Sequence, residues 1–438
     1  MKDWFKQHFE EIKRDYFQFL RFQSISTEPE FKSEVDKCAE WVRDYLGKSG
    51  LKAELIETVG HPLIFAETGI GKESLLIYGH YDVQPVDPLG LWKTPPFEPT
   101  ERDGRIYARG AVDDKGQIFY AMAAVRALIE MGKPLPINIK FCIEGEEEAG
   151  SVGLTKAIPK IKDKLRAESL LVVDFDSYDE KTPAISLGAR GLVTMDVILT
   201  GSKGDLHSGQ LGGIAYNPNR ALVELLAKLY DQNGHVAVDG FYEDVIASKE
   251  QYPERHEKAY YTKEFGIEAF AAEKLLEANV LRPTLEINGI GGGYFGAGFK
   301  TVIPAQAIAK ISCRLVPGQD PEKIGKQVKA FLEKHSKKGM KLDVRIHGGA
   351  HAFRGNPHSK LAMAVAAASQ AVMGKPCETV LCGGSIPVLA ALSQHLGVET
   401  VGMGYGLPTD NIHAPNEHFD FQRMENGFLT VAETIGRL

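Results

Sequence analysis

Several carboxylates and two histidines stand where apolar runs give way to polar loops. His80 and Asp82 follow the run SLLIYG. Residues i and i+2 of an extended chain share a face, so Asp82 can approach the His80 imidazole. A carboxylate that fixes a histidine tautomer is common support for a metal ligand, although such a tripeptide also arises incidentally. Asp113 and Asp114 sit in YARGAVDDKGQ, at the mouth of a helix. There they read either as a cap with a favourable first-turn charge or as a carboxylate bridging two cations. Glu144, Glu146, Glu147 and Glu148 crowd FCIEGEEEAGSVGL. They repel one another unless they form a solvated turn or face a cation. The pair Glu147–Glu148 permits one carboxylate on a metal and one free as a general base. Asp174 and Asp176 end SLLVVDFD, and either could be a ligand. His413 lies in TDNIHAPNEHF, and most of the thirteen histidines read as surface or structural residues. Mixed His/Asp/Glu ligation suits Zn2+, with Co2+ or Mn2+ as alternatives. Two such metals about 3.5–4 Å apart would polarise a carbonyl and acidify a water held between them.

These groups need elements that bring them together. Residues 1–20 pattern as an amphipathic helix with Trp4, Phe5, Phe9, Ile12, Tyr16 and Leu20 near one face. Further helices are predicted over 30–48 and 117–131, and strands over 74–83, 137–145 and 169–176. Strands that are apolar throughout, separated by helices, predict an α/β fold: a mainly parallel sheet covered by helices on both faces. Ligands gather at the carboxyl ends of such strands, where each candidate above lies. From about residue 186 the texture changes. Strands over 192–201, 284–290, 307–316 and 341–348 alternate with helices over 217–232 and 321–335, Asn217 being an N-cap followed by Pro218. That order is the ferredoxin-like β-α-β-β-α-β pattern. It predicts a catalytic domain of residues 1–185 and 353–438, interrupted by an α+β domain of residues 186–352. A helix over 358–374 returns the chain to the first domain. Residues 240–282 are charged and helix-prone, with no role assigned.

A chain of 438 residues, 43% hydrophobic and 25% charged, has ample material for two domains. Its net charge of -7 argues against nucleic acid as a partner. The amino-terminal stretch lacks the apolar run and small-residue cleavage site of a signal peptide. No apolar run reaches the length of about 18 residues that spans a bilayer. Cys38, Cys142, Cys313, Cys377 and Cys382 are odd in number and form no close metal-ligand pair. The expectation is a cytoplasmic enzyme with reduced thiols and no membrane partner.

GHYDVQP, YARGAVDDKGQ, EEAGS, DLHSG, KTVIP with CRLVPG, GGSIP and the histidine loop occur in this order over nearly the whole chain. The series resembles the di-zinc exopeptidase family of carnosinase-type cytosolic dipeptidases, carboxypeptidase G, aminoacylase and succinyl-diaminopimelate desuccinylase. It is nearest to the cytosolic nonspecific dipeptidase branch. The resemblance implies that His80 binds one zinc and is oriented by Asp82. It makes Asp113 the bridge, with a cis Asp113–Asp114 peptide. Glu147 becomes the general base and Glu148 a ligand of the second zinc. Asp174, nine residues before Pro183, is preferred over Asp176 for the first zinc, and His413 completes the second. The inserted domain resembles a lid through which the family forms homodimers. His207, otherwise a loop histidine, then reaches the partner's active site and stabilises the oxyanion. Asn217, Thr301 and Arg314 match substrate-holding lid residues, Arg314 by a bidentate contact to a carboxylate, where it otherwise reads as a solvated edge charge. Gly383, Gly384 and Ser385 fall where the family contacts substrate.

The implied function is hydrolysis of the amide bond of dipeptides or small peptides by a metal-bridging water that Glu147 activates. One departure matters. Cys382 stands before GGSIP, where the dipeptidase branch often has a glutamate suited to a free amino group. A thiol cannot pair with an ammonium as a carboxylate does. An N-acyl amino acid amidohydrolase or desuccinylase is therefore the alternative. A non-catalytic metal-binding module would lack ligands or base, whereas every such position is filled here.

Overall fold

The computed structural model describes every residue except Tyr178, 249–251, 253–255, Ser385 and Ile386. It resolves into two compact units. One comprises Met1–Gly188, Arg354–Cys382 and Val388–Leu438, the other Ala189–Phe353 and Gly383–Pro387.

The first unit is built on a nine-stranded sheet. Strand Ser74–His80 runs parallel to Asn138–Glu144 on one side and to Ser169–Val172 on the other, and Glu399–Met403 runs parallel to Ser169–Val172. Antiparallel strands extend this parallel heart: Leu63–Glu67 beside Asn138–Glu144, then Lys52–Ile56, and Ala184–Ala189 beside Glu399–Met403. Asn138–Glu144 is buried at all seven positions, so both faces of the sheet are covered there. Helix Lys115–Glu130 contacts Ser74–His80, and helix Val152–Leu165 contacts Asn138–Glu144.

Lys115–Glu130 is itself buried nearly all round, with Ile118, Phe119, Met122 and Val125 in the main core. Burying each large apolar side chain stabilises by about 1.5–3 kcal/mol. Helix Phe421–Arg437 packs on it, starting at an Asp420 cap that accepts from the Arg423 N–H at 2.8 Å. Gly427 meets the Tyr120 ring, where a Cβ would lie 2.6 Å from ring carbon.

Some boundaries differ from the sequence pattern. The amino-terminal helix is two helices, Lys2–Gln7 and Phe9–Arg21, parted at His8. The strand predicted to reach residue 176 ends at Val172, so Asp174 lies in the loop beyond it. The helix predicted over 217–232 stops at Ala227. No helix among the described residues is long and apolar enough to cross a membrane.

The second unit holds a four-stranded sheet in the order Thr284–Gly291, Gln306–Leu315, Gly191–Thr200, Lys341–Ala350, every pair antiparallel. That is the ferredoxin-like strand order. Ala307, Ala309, Ile311, Cys313 and Leu315 are all buried on one face, in a core shared with residues of helices Pro218–Ala227 and Pro321–His335. Within the charged stretch 240–282, Lys258–Phe265 is α-helical and Glu277–Leu281 a π-helical turn.

Candidate metal centre

Strand register levels the site. Tyr78 lies opposite Val172, and His80 opposite Glu144. Two residues beyond each partner, the chain of one neighbour reaches Glu146 and that of the other Asp174. The ends of three parallel strands therefore deliver a histidine, an acidic turn and an aspartate to one edge of the sheet.

His80 is fully buried. Its Nδ1 donates to the Asp82 carbonyl at 3.1 Å. A carbonyl can only accept, so the proton sits on Nδ1 and the Nε2 lone pair is left for a cation. Nε2 lies 3.1 Å from Asp113 Oδ1 and 3.8 Å from Asp174 Oδ2. The Asp82 carboxylate is 3.3 Å from Nδ1 but has further partners. Oδ1 accepts from the Glu147 N–H at 3.2 Å, and Oδ2 from the Glu148 N–H at 3.1 Å and from Ser26 Oγ at 2.6 Å. Asp82 thus also fixes the backbone of the acidic turn.

Asp113 and Asp114 precede helix Lys115–Glu130, and the peptide between them is cis. Asp113 Oδ2 lies 2.9 Å from His413 Nε2, so its two oxygens serve two histidines. Asp114 Oδ2 accepts the His80 N–H at 3.0 Å, while the buried Oδ1 has no hydrogen-bond partner. The four glutamates separate. Glu144 turns inward and accepts from Tyr78 and Ser151 at 2.6 and 2.9 Å. Glu146 accepts from the Gly153 N–H at 2.9 Å. Glu148 receives Gln84 Nε2 at 2.7 Å and lies 3.3 Å from His413 Nε2. Glu147 opens the same 3-10 turn, Glu147–Ala149. His413 occupies the left-handed backbone region with φ 60° and is half exposed.

The ligand atoms fall into two groups, His80–Asp114–Asp174 and Asp113–Glu148–His413, all within 4.8 Å of one another inside each group. The sequence pattern does not single out Asp114 as a ligand. Asp176 lies outside both groups and forms a bridge with Gly406. The charges also point to a cation. Burial drives Asp114 and Asp174 well above the usual carboxylate range. Burial, reinforced by Glu148 and Asp113, pushes Glu147 up to about 8. Its bonds to Asp113 and then Glu148 raise His413 to about 10. Crowded acids with an orphaned buried oxygen fit a site for divalent cations, and nitrogen-plus-oxygen donors fit zinc-type metals.

In the second unit, His207 caps the short helix Ser208–Leu211, its Nδ1 accepting from the Gly209 N–H at 3.0 Å. The Thr301 carbonyl accepts from the Ser208 N–H at 3.0 Å, so Thr301 faces Ser208 across the short antiparallel pairing in which His207 lies opposite Val302. Asn217 caps helix Pro218–Ala227 by accepting from the Asn219 N–H at 2.9 Å. Arg314 lies opposite Thr284 and Leu192 in the sheet. The Gly384 carbonyl accepts from the Arg190 N–H at 2.9 Å, and Arg190 Nε donates to the Gly383 carbonyl at 2.7 Å. Ser385 lies outside the described residues.

An α/β sheet with paired His/Asp/Glu groups at its strand ends, joined to a ferredoxin-like unit, defines a class of metal-dependent hydrolases. The chain belongs to peptidase family M20/M25/M40, whose profile matches residues 76–437. It is 32% identical to the human Beta-Ala-His dipeptidase over 91% of this chain and 84% of that one. It is 31% identical to the Cys-Gly metallodipeptidase dug1 of Schizosaccharomyces pombe, over 92% and 90%. The solved structure of the metallo-carboxypeptidase Sso-CP2 of Sulfolobus solfataricus superposes with a TM-score of 0.90 at 33% identity, covering 97% of this chain and 98% of that one.

Proposed function

We propose that the chain is a two-zinc dipeptidase in which Glu147 is the general base. The observation that carries this reading is Asp113, one carboxylate whose separate oxygens lie 3.1 and 2.9 Å from histidines of different groups. In this reading His80 and Asp174 would hold one cation and Glu148 and His413 the other, with the Asp113 carboxylate available to both. Asp82 keeps the proton on His80 Nδ1 and anchors the turn that carries Glu147. When bound, the two cations supply a polarised carbonyl and an acidified water. Glu147 takes the proton of the attacking water and delivers it to the departing amine. Moving a proton from the water to the leaving amine is the general base and general acid work that a positioned carboxylate performs.

The second unit acts as lid and dimerisation domain. His207 donates to the developing oxyanion across a homodimer, and Asn217, Thr301, Arg314, Gly384 and Ser385 hold the substrate. Support comes from the exposure of His207 and from the short pairing that joins its segment to the one carrying Thr301. Among the described residues none of the five cysteines is in a disulfide, which supports a reducing, cytoplasmic setting. A second reading, hydrolysis of N-acyl amino acids, is favoured by Cys382 at the end of strand Glu378–Cys382, where a carboxylate would suit a free ammonium.

The test is a zinc-replete activity screen over dipeptides with free and N-acetylated amino termini. Preference for free dipeptides is expected, and preference for blocked ones would establish the second reading. Glu147→Ala should bind zinc yet lose about 10²–10⁴-fold in kcat, and near-normal turnover would remove Glu147 from its role. A fully active chain that sediments as a monomer would remove the trans role of His207.

A further inference from the structure

Glu417 lies in the loop that carries His413 and is fully buried. Its carboxylate accepts from four donors. Oε2 takes Arg109 Nη1 at 2.7 Å and the Gly110 N–H at 2.8 Å. Oε1 takes the N–H groups of Val112 at 3.0 Å and Asp113 at 3.1 Å. Its backbone carbonyl accepts from the Ala108 N–H at 3.2 Å. One residue therefore grips the chain from 108 to 113 along its length. Arg109, 1% exposed, completes the contact by donating from Nη2 to the Pro85 carbonyl at 3.0 Å and lying 5.4 Å from the Trp92 ring.

A buried Arg–Glu pair alone is weak evidence for anything beyond structure. Here, however, Arg109 supplies only one of the four donors. The others are backbone amides of the loop that ends in Asp113. Glu417 and Asp113 are 304 residues apart in the chain. The segments they join bring Asp113 and His413 within 2.9 Å. Hydrogen bonds to an ionised acceptor are the strong ones, and a carboxylate with both oxygens doubly engaged allows the loop little freedom.

We propose that Glu417 is a positioning residue of the metal centre. It locks the backbone of Asp113 to the His413 loop, so that the Asp113 carboxylate is presented to both ligand groups before any cation arrives. This rests on the two-cation reading above. Glutamate is needed because all four partners are donors. A glutamine in its place would turn an NH2 toward two of them, whichever way its amide faced.

The experiment titrates zinc alone into the metal-free full chain, wild type beside Glu417→Gln and Glu417→Asp. The aspartate keeps the charge against Arg109 but is too short to hold both ends of the loop. Both variants should bind zinc about 10–100-fold more weakly, and kcat should recover at saturating zinc with KM for the dipeptide unchanged. Wild-type zinc affinity in a folded variant would overturn the proposal, as would a loss of kcat that excess zinc does not restore. Should the glutamine variant not fold, the aspartate variant decides. If neither folds, Glu417 is a determinant of folding and the proposal is overturned. A wild type that binds no zinc would instead sink the two-cation reading itself.

Discussion

Asp113 shows how much one side chain can be asked to do. Its oxygens face two histidines, its amide is held by Glu417, and its cis peptide leads into the residue whose carboxylate receives the His80 N–H. Without metal, such crowding is balanced by protons. Its bonds to Asp113 and Glu148 push His413 up to about 10, so at neutral pH its ring carries a proton that a cation must displace. The sign follows: lowering pH strengthens the competitor, so metal affinity falls as pH falls, about tenfold per pH unit for each proton released. Calorimetric titration with zinc at pH 7, in buffers of different ionisation enthalpy, should report net proton release, and binding without release would contradict the account. At this scale the sequence is informative where chemistry is local. Spacing after apolar runs marks His80 with Asp82 and the acidic pairs Asp113–Asp114, Glu147–Glu148 and Asp174/Asp176, while the choice within each pair rests on the family resemblance. The wider work of Asp82, and the roles of Gln84 and Glu417, depend on loops that meet only in three dimensions, so spacing carries no trace of them.

Elements position these residues by register and by close approach. Gly79 precedes His80 on the central strand, and a Cβ there would lie 2.5 Å from Asp114 Oδ2 and 2.9 Å from Ile118 Cδ1. Only hydrogen lets helix Lys115–Glu130 and its preceding carboxylate come so near. Gly79→Ala should cost about 1–3 kcal/mol through overpacking, read as a lower denaturant midpoint, and an unchanged midpoint would show that the helix can yield without cost. Elements whose burial is one-sided or complete are legible. The fully buried Asn138–Glu144 and the alternating Gln306–Leu315 fall where the pattern puts them, within a residue, whereas the runs over 74–83 and 169–176 start as expected but end early, at His80 and Val172. Less is legible at the margins. Lys52–Ile56 has no fully buried residue and gives little periodic signal. The run LVVDFD reads as extended to its end, yet pairing stops at Val172 because the chain turns away to place Asp174.

For the whole molecule, the central claim is convergence: residues drawn from positions 80 to 413 meet at one edge of a parallel sheet, spaced for two cations. Family membership and the α/β architecture are readable because the motifs recur in order over most of the chain, and the profile match to residues 76–437 agrees with that. What no pattern supplies is the pairing of oxygens with histidines. Crystals of the zinc-loaded chain, measured across the zinc absorption edge, test it directly. Two anomalous peaks about 3.5–4 Å apart are expected, one beside His80 and Asp174, the other beside Glu148 and His413, with Asp113 between them. A single peak, or zinc lying away from Asp113, would contradict the two-cation centre.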